Sequence, residues 1–180
     1  MAKVLVIIST GFEEIEAISI IDILRRAEIE VVIATINDIL TVGGQGIVLQ
    51  ANQYLKDIED VTVFDMVVLP GGVQNTLNLV LSDLVKSTLQ KMKNKDKYVS
   101  AICAAPLVLH EAKVLNKNFT CYPSVERKIN SSTYRDKTVV KDEKVITSQG
   151  PGTSIEFALE LVKVLKGESL YKEIKEGLLA

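Results

Sequence analysis

With 180 residues, 47% of them hydrophobic and 24% charged, the chain has apolar material for one full core and too little for two, so a single domain over residues 1–180 is expected. Its net charge is −2 with acidic and basic residues interleaved, so no field draws it to nucleic acid or to an anionic membrane, and neither is an expected partner. No stretch approaches the roughly 20 apolar residues of a spanning helix, and two cysteines, Cys103 and Cys121, read as free thiols, so a soluble cytoplasmic protein is expected.

Met1 to Ser9 holds one lysine and a short apolar run, without the length or small-residue cleavage site of an export signal. Within it, Lys3 to Ile8 has the β-branched, almost continuously apolar pattern of a central parallel strand covered on both faces. Glu14 to Ala27 fits a helix, with Glu14, Asp22, Arg25 and Arg26 on a wet side. Glu30 to Ile36 returns to strand, and this βαβ opening implies a right-handed crossover and a parallel sheet. Thr41 to Gln50, with Gly43, Gly44 and Gly46, reads as a hairpin, and the glycine spacing matches no nucleotide-binding motif. Asp65 to Leu69 is a buried strand closed by Pro70, Gly71 and Gly72. Ser82 to Lys93 has the period of a surface helix, and Tyr98 to Ile102 extends the sheet.

After Cys103, the residues Leu107, Val108, Ala112 and Leu115 fit a further helix. Val139 to Thr147 is two apolar runs joined by a charged turn at Asp142 to Lys144. Thr153 and Glu156 are spaced as a capping box, opening a helix whose apolar face is Ile155, Ala158, Leu159, Val162 and Leu165. The alternation predicts a doubly wound α/β sandwich around a mostly parallel central sheet.

In such sheets ligands gather at the carboxyl ends of the strands. Three places qualify: Ser9 to Glu16, the Pro70-Gly71-Gly72 turn, and Ala101 to Ala105 around Cys103. Cys103 reads two ways. A thiol on a tight strand-to-helix turn needs small flanking residues, which Ala101 and Ala105 supply, and a helix starting after it favours the thiolate. A lone cysteine in an apolar segment is equally a small buried hydrophobe. Gly71 and Gly72 could bring backbone N–H groups near as an oxyanion site. The only histidine, His110, lies seven residues on, about 10 Å along a helix axis, too far to serve as a local base. One histidine and two separated cysteines form no zinc pattern, so no metal is expected. Glu16, flanked by Ile15, Ala17 and Ile18, is the remaining acid–base candidate, because burial would raise its pKa. Its other reading is an ordinary charge in a first helical turn.

Together, Gly11-Phe12-Glu13-Glu14-Ile15-Glu16, Val68-Leu69-Pro70-Gly71-Gly72, Ala101-Ile102-Cys103-Ala104-Ala105-Pro106 and Thr147-Ser148-Gln149-Gly150-Pro151-Gly152-Thr153 resemble the motifs of the ThiJ/PfpI family, in order and spacing, over about Lys3 to Leu165. The resemblance is closest to its deglycase branch. It implies a flavodoxin-like sandwich, related to class I glutamine amidotransferases, that forms a homodimer with Arg26 at the interface and needs no cofactor. It also implies that Cys103 is the catalytic, readily oxidised thiol, that Glu16 is its protonated neighbour, and that Gly71, Gly72 and Ala104 offer N–H groups to the pocket.

Two positions depart from the animal members of that family. Tyr122 stands at the pocket position where they carry histidine, and a phenol ionises too high to act as a base at neutral pH. Gln149 stands where they carry arginine. Protease activity is therefore not expected. The function implied is a stress-response enzyme acting on reactive dicarbonyls or early glycation adducts through a hemithioacetal on Cys103, with small aldehydes or glycated proteins as partners. The alternative is a redox sensor and holdase for misfolded proteins, working by oxidation of Cys103.

Overall fold

The computed structural model describes residues 1–180. Strand β1 (Lys3–Ile8) leads into helix α1 (Glu14–Arg26) and strand β2 (Glu30–Thr35), followed by the hairpin β3 (Leu40–Val42) and β4 (Val48–Gln50) and the short strand β5 (Gln53–Tyr54). Strand β6 (Met66–Leu69), helices α2 (Val73–Leu81) and α3 (Asp83–Asn94), strand β7 (Tyr98–Ile102) and helix α4 (Pro106–Glu111) come next. Strands β8 (Asn118–Phe119), β9 (Thr133–Tyr134), β10 (Val139–Asp142) and β11 (Val145–Ser148) precede helices α5 (Ser154–Lys166) and α6 (Glu168–Leu178).

Seven strands form one sheet in the order β10-β11-β7-β6-β1-β2-β5. Every pairing is parallel except that of β10 with β11. The continuous apolar run of β1 is explained by this position, because it pairs with β2 and β6 and is covered on both faces. Val4, Val6 and Ile8 join the core under α1 and α5, while Leu5 and Ile7 join the opposite core with Leu79 of α2 and Leu89 of α3. The architecture is the expected flavodoxin-like α/β sandwich. The order changes direction between β1 and β6, which opens the crevice where such sheets bind ligands.

Four local expectations are corrected. Glu14 is not on the wet side of α1 but is 4% exposed, because its carboxylate accepts the N–H groups of Gln45 at 2.6 Å and Ile47 at 3.3 Å and so ties the hairpin to the helix. Thr153 and Glu156 form no capping box. A 3₁₀ turn over Pro151–Thr153 precedes α5, the Thr153 hydroxyl accepts the Gly150 N–H at 3.1 Å, and Glu156 accepts a hydrogen bond from Thr138 at 2.6 Å. Ile155, placed on the apolar face, is 45% exposed. The helix after Cys103 ends at Glu111, short of Leu115, with Lys113 in a left-handed conformation.

Candidate active site

Three chain segments converge at the carboxyl ends of β1, β6 and β7. Cys103 follows β7 directly and has φ +64°, a left-handed conformation that costs a non-glycine residue about 1 kcal/mol or more. Hydrogen bonds hold it there from both sides. Its N–H donates to the Ser148 carbonyl at 3.0 Å, and its carbonyl accepts the Tyr122 N–H at 2.8 Å. Such over-determined strain is how a sharp turn lifts a nucleophile out of a sheet.

Glu16, in the first turn of α1, is fully buried. Its Oε2 accepts the Gly71 N–H at 2.6 Å, and its carboxylate lies close enough to the Cys103 thiol for each to shift the other's pKa. The other oxygen, Oε1, has no partner in the protein. Burial raises the Glu16 pKa from 4.5 to about 7, against the opposing pull of the Gly71 N–H and the thiol.

Gly71 explains why the groups can meet. A Cβ there would lie 2.6 Å from Cys103 Cβ and 2.6 Å from Glu16 Oε2, distances no side chain tolerates. Its N–H is spent on Glu16, so it is not among the groups facing the cavity, which departs from the expectation. The N–H groups of Gly72 and Ala104 lie on the sulfur side and pull its pKa down. Gly72 has φ +95°, and a Cβ on it would meet the Gly11 carbonyl at 2.2 Å.

The expectation that a helix start favours the thiolate is corrected. Helix α4 begins only at Pro106 and is six residues long. Burial, then the negative charge of Glu16 and its hydrogen bond, push the Cys103 thiol well above its ordinary range, outweighing the N–H groups of Ala104 and Gly72. Cys103 and Glu16 therefore behave as one coupled pair, in which a charge on either disfavours a charge on the other.

Cys103 opens onto a cavity of about 410 Å³, lined mostly by apolar side chains such as Leu77, Leu107 and Val125, with Thr76, Tyr122 and Lys128 among the polar ones. Tyr122 is half exposed. His110 does not line this cavity; its Nδ1 lies 3.0 Å from Ser131 Oγ. Gln149 donates to Asp136 at 3.0 Å. Cys121 is fully buried with Phe119 and Ile129, and burial, with the charge of Glu126, pushes its thiol up to about 12. Arg26 lies on the exposed face of α1 and pairs with Asp22 at 2.6 Å.

Asn75 has no counterpart among the sequence-based candidates. Fully buried at the start of α2, its amide donates to the Pro70 carbonyl at 2.9 Å and the Gly71 carbonyl at 3.0 Å and accepts the Ser9 N–H at 2.7 Å. One side chain thereby locks the ends of β1 and β6 together.

A family model described as the DJ-1/PfpI family matches residues 2–164. The chain belongs to the DJ-1/PfpI family. It is 41% identical to Protein dj-1beta of Drosophila melanogaster over 97% of this chain and 95% of that one. It is 30% identical to the Glutathione-independent glyoxalase DJ-1 of Schizosaccharomyces pombe over 99% of this chain and 98% of that one. The crystal structure of Drosophila melanogaster DJ-1beta superposes with a TM-score of 0.94 at 38% identity, covering 99% of this chain and 98% of the other. The four motifs that carry the resemblance at the sequence level thus mark a true family member.

Proposed function

We propose that this DJ-1/PfpI protein is a cofactor-independent glyoxalase or deglycase of the stress response, converting reactive dicarbonyls or early glycation adducts through Cys103. The observation that carries the reading is the coupled pair of Cys103, held on a left-handed turn in the wall of a mostly apolar cavity, and the fully buried Glu16 behind it. The glyoxalase among the relatives supports it.

In the proposed reaction ionised Glu16 takes the thiol proton as the sulfur adds to the aldehyde carbon. A C–S bond forms, and the carbonyl π pair moves to oxygen beside the Gly72 and Ala104 N–H groups. Glu16 returns the proton to that oxygen, giving the hemithioacetal. The freed carboxylate then moves the hydrogen of the former aldehyde carbon, as a proton, to the adjacent carbonyl carbon while the hemithioacetal hydroxyl proton passes to that carbonyl's oxygen, leaving a thioester of a 2-hydroxy acid. Water cleaves the thioester and restores the thiol. One carbon is oxidised and its neighbour reduced, so methylglyoxal plus water gives lactate without an external oxidant. A pKa near 7 suits Glu16 to both accepting and returning protons at neutral pH.

The alternative reading as a redox sensor and holdase is not favoured, because the glyoxalase relative and the acid–base partner Glu16 beside Cys103 support turnover. The reading includes a cytoplasmic location, supported by two unpaired cysteines; no helix is long and apolar enough to cross a membrane. It also includes a homodimer with Arg26 at its edge. This is supported by exposed apolar residues on two elements that Glu14 ties together, Ile15 and Ile18 on α1 and Leu40, Val42 and Val48 on the hairpin.

The deciding experiment is lactate formation from methylglyoxal by the purified protein beside Cys103→Ser and Glu16→Gln. A fall of about a thousandfold in Cys103→Ser is expected. Full activity in that variant would remove the proposal.

A further inference from the structure

The cavity over Cys103 is larger than a three-carbon dicarbonyl needs, because about 410 Å³ lies within the range of sites that hold ligands of drug size. One charged lining group is left over by the chemistry above. Lys128 is the only charged side chain in the cavity wall, and it pairs with no carboxylate of the protein. Its Nζ is therefore free to meet a ligand charge at the mouth of the cavity, while Thr76, also in the wall, is 3% exposed and keeps its hydroxyl shielded.

Gln149 cannot supply the positive charge, since it is a neutral amide engaged by Asp136. Apart from the neutral side chains of Tyr122 and Ser124 the rest of the wall is mostly apolar, so a small molecule entering it meets one cation and the nucleophile. We propose that Lys128 selects aldehydes that carry a carboxylate a few atoms from the reacting carbonyl, rather than neutral dicarbonyls. This names a substrate class for the site and rests on the glyoxalase reading above. For an α-oxoaldehyde of this kind, such as 4,5-dioxopentanoate, the same internal redox step adds one water and yields 2-hydroxyglutarate, with the aldehyde carbon oxidised and the ketone carbon reduced.

The test has one arm that does not depend on turnover. Iodoacetate and iodoacetamide are nearly isosteric and differ in charge. Each alkylates Cys103 by forming a C–S bond as iodide leaves and the thiol proton passes to Glu16 or solvent. Their rates are measured by mass spectrometry on the full-length protein, on Lys128→Met and on Lys128→Arg, with modification assigned to Cys103 rather than the buried Cys121. Lys128 is exposed, so the ratio of iodoacetate to iodoacetamide rates should fall about threefold to fivefold in Lys128→Met, be retained in Lys128→Arg, and lose its salt dependence in Lys128→Met. In the second arm, kcat/KM for 4,5-dioxopentanoate should fall by a similar factor in Lys128→Met while that for methylglyoxal stays level.

An alkylation ratio unchanged in Lys128→Met overturns the inference, whether or not methylglyoxal is turned over. A shifted ratio with no turnover of either oxoaldehyde upholds charge selection at Cys103 and removes the glyoxalase reading instead.

Discussion

Replacing Glu16 by glutamine should make the protein more stable at alkaline pH. The carboxyl is fully buried and its pKa rises from 4.5 to about 7, with burial the largest cause. In the unfolded chain it ionises near the lower value. Between these two pH values the folded state holds more protons than the unfolded state, so stability falls as pH rises through that window and levels off above it. At about 1.4 kcal/mol for each tenfold change in proton affinity, the loss above pH 7 comes to about 3 kcal/mol. Glutamine does not titrate. Its carbonyl can still accept the Gly71 N–H, and its amide can face the sulfur, so at pH 8 the variant should gain about 1 to 3 kcal/mol. In a chain of this size each kcal/mol moves Tm by about 2 to 4 °C. Urea unfolding and thermal melts of both proteins from pH 4 to pH 8.5 give the comparison. The two should converge below pH 4.5 and separate above it. Repeating the comparison with Cys103→Ala in both proteins removes the coupling to sulfur while keeping the burial, and the pH-dependent gap should persist. A glutamine variant that is less stable at pH 8, or a gap that does not change with pH, would refute the reasoning.

Three further outcomes follow from contacts at the same site and its flank. Gly71→Ala must push a Cβ into Cys103 and Glu16, so it should lower stability by about 1 to 3 kcal/mol and reduce methylglyoxal turnover more than it reduces Tm, as paired melts and kinetics would show. Asn75→Ala strands the Ser9 N–H and leaves the Pro70 and Gly71 carbonyls without its amide; a loss of about 2 to 4 kcal/mol is expected in urea titrations. Ile18→Asp combined with Val48→Asp should convert a dimer into a monomer in analytical ultracentrifugation, and a monomeric parent protein would remove the homodimer from the proposal.

The parts legible in the sequence were those governed by pattern. β1 reads as a central strand because its apolar run is unbroken, and the turns after β6 and β7 read as site loops because glycine and alanine admit close approach. Helix α2 was missed for a physical reason. Its apolar residues Val73 and Leu81 are 77% and 80% exposed while polar Asn75 and Thr76 are buried, so its hydrophobic period runs against the rule that defines a surface helix. Glu14 and Asn75 share that inversion. Each is a polar side chain whose burial is decided by distant backbone groups, at Gln45 and Ile47 for one and at Ser9 and Pro70 for the other, and no local window contains those partners. Helix α6 carries no fully buried residue, yet Leu170, Ile174 and Leu178 recur every four residues and pack half-buried against the core, so that helix was legible and went unread. The pairing of Glu16 with Cys103 came from the family resemblance; local reading left both as ambiguous.

The inverted residues and the site have one origin. A parallel sheet that changes direction between β1 and β6 leaves backbone groups at its carboxyl edge with no further strand to pair them. Asn75 satisfies them on one side and Glu16, through the Gly71 N–H, on the other. A carboxylate recruited for that purpose is necessarily buried, and a buried carboxylate holds its proton to about pH 7. The same group that completes the hydrogen bonding of the sheet edge therefore becomes a proton carrier of neutral-pH strength, 55 residues away in sequence from the glycine it binds. Cys103 meets it because the third strand of the set, β7, ends in a turn strained enough to project its side chain into the crevice. The acid–base pair is thus a consequence of how this topology closes its edge, and substitution of Gly71 should disturb fold and chemistry together.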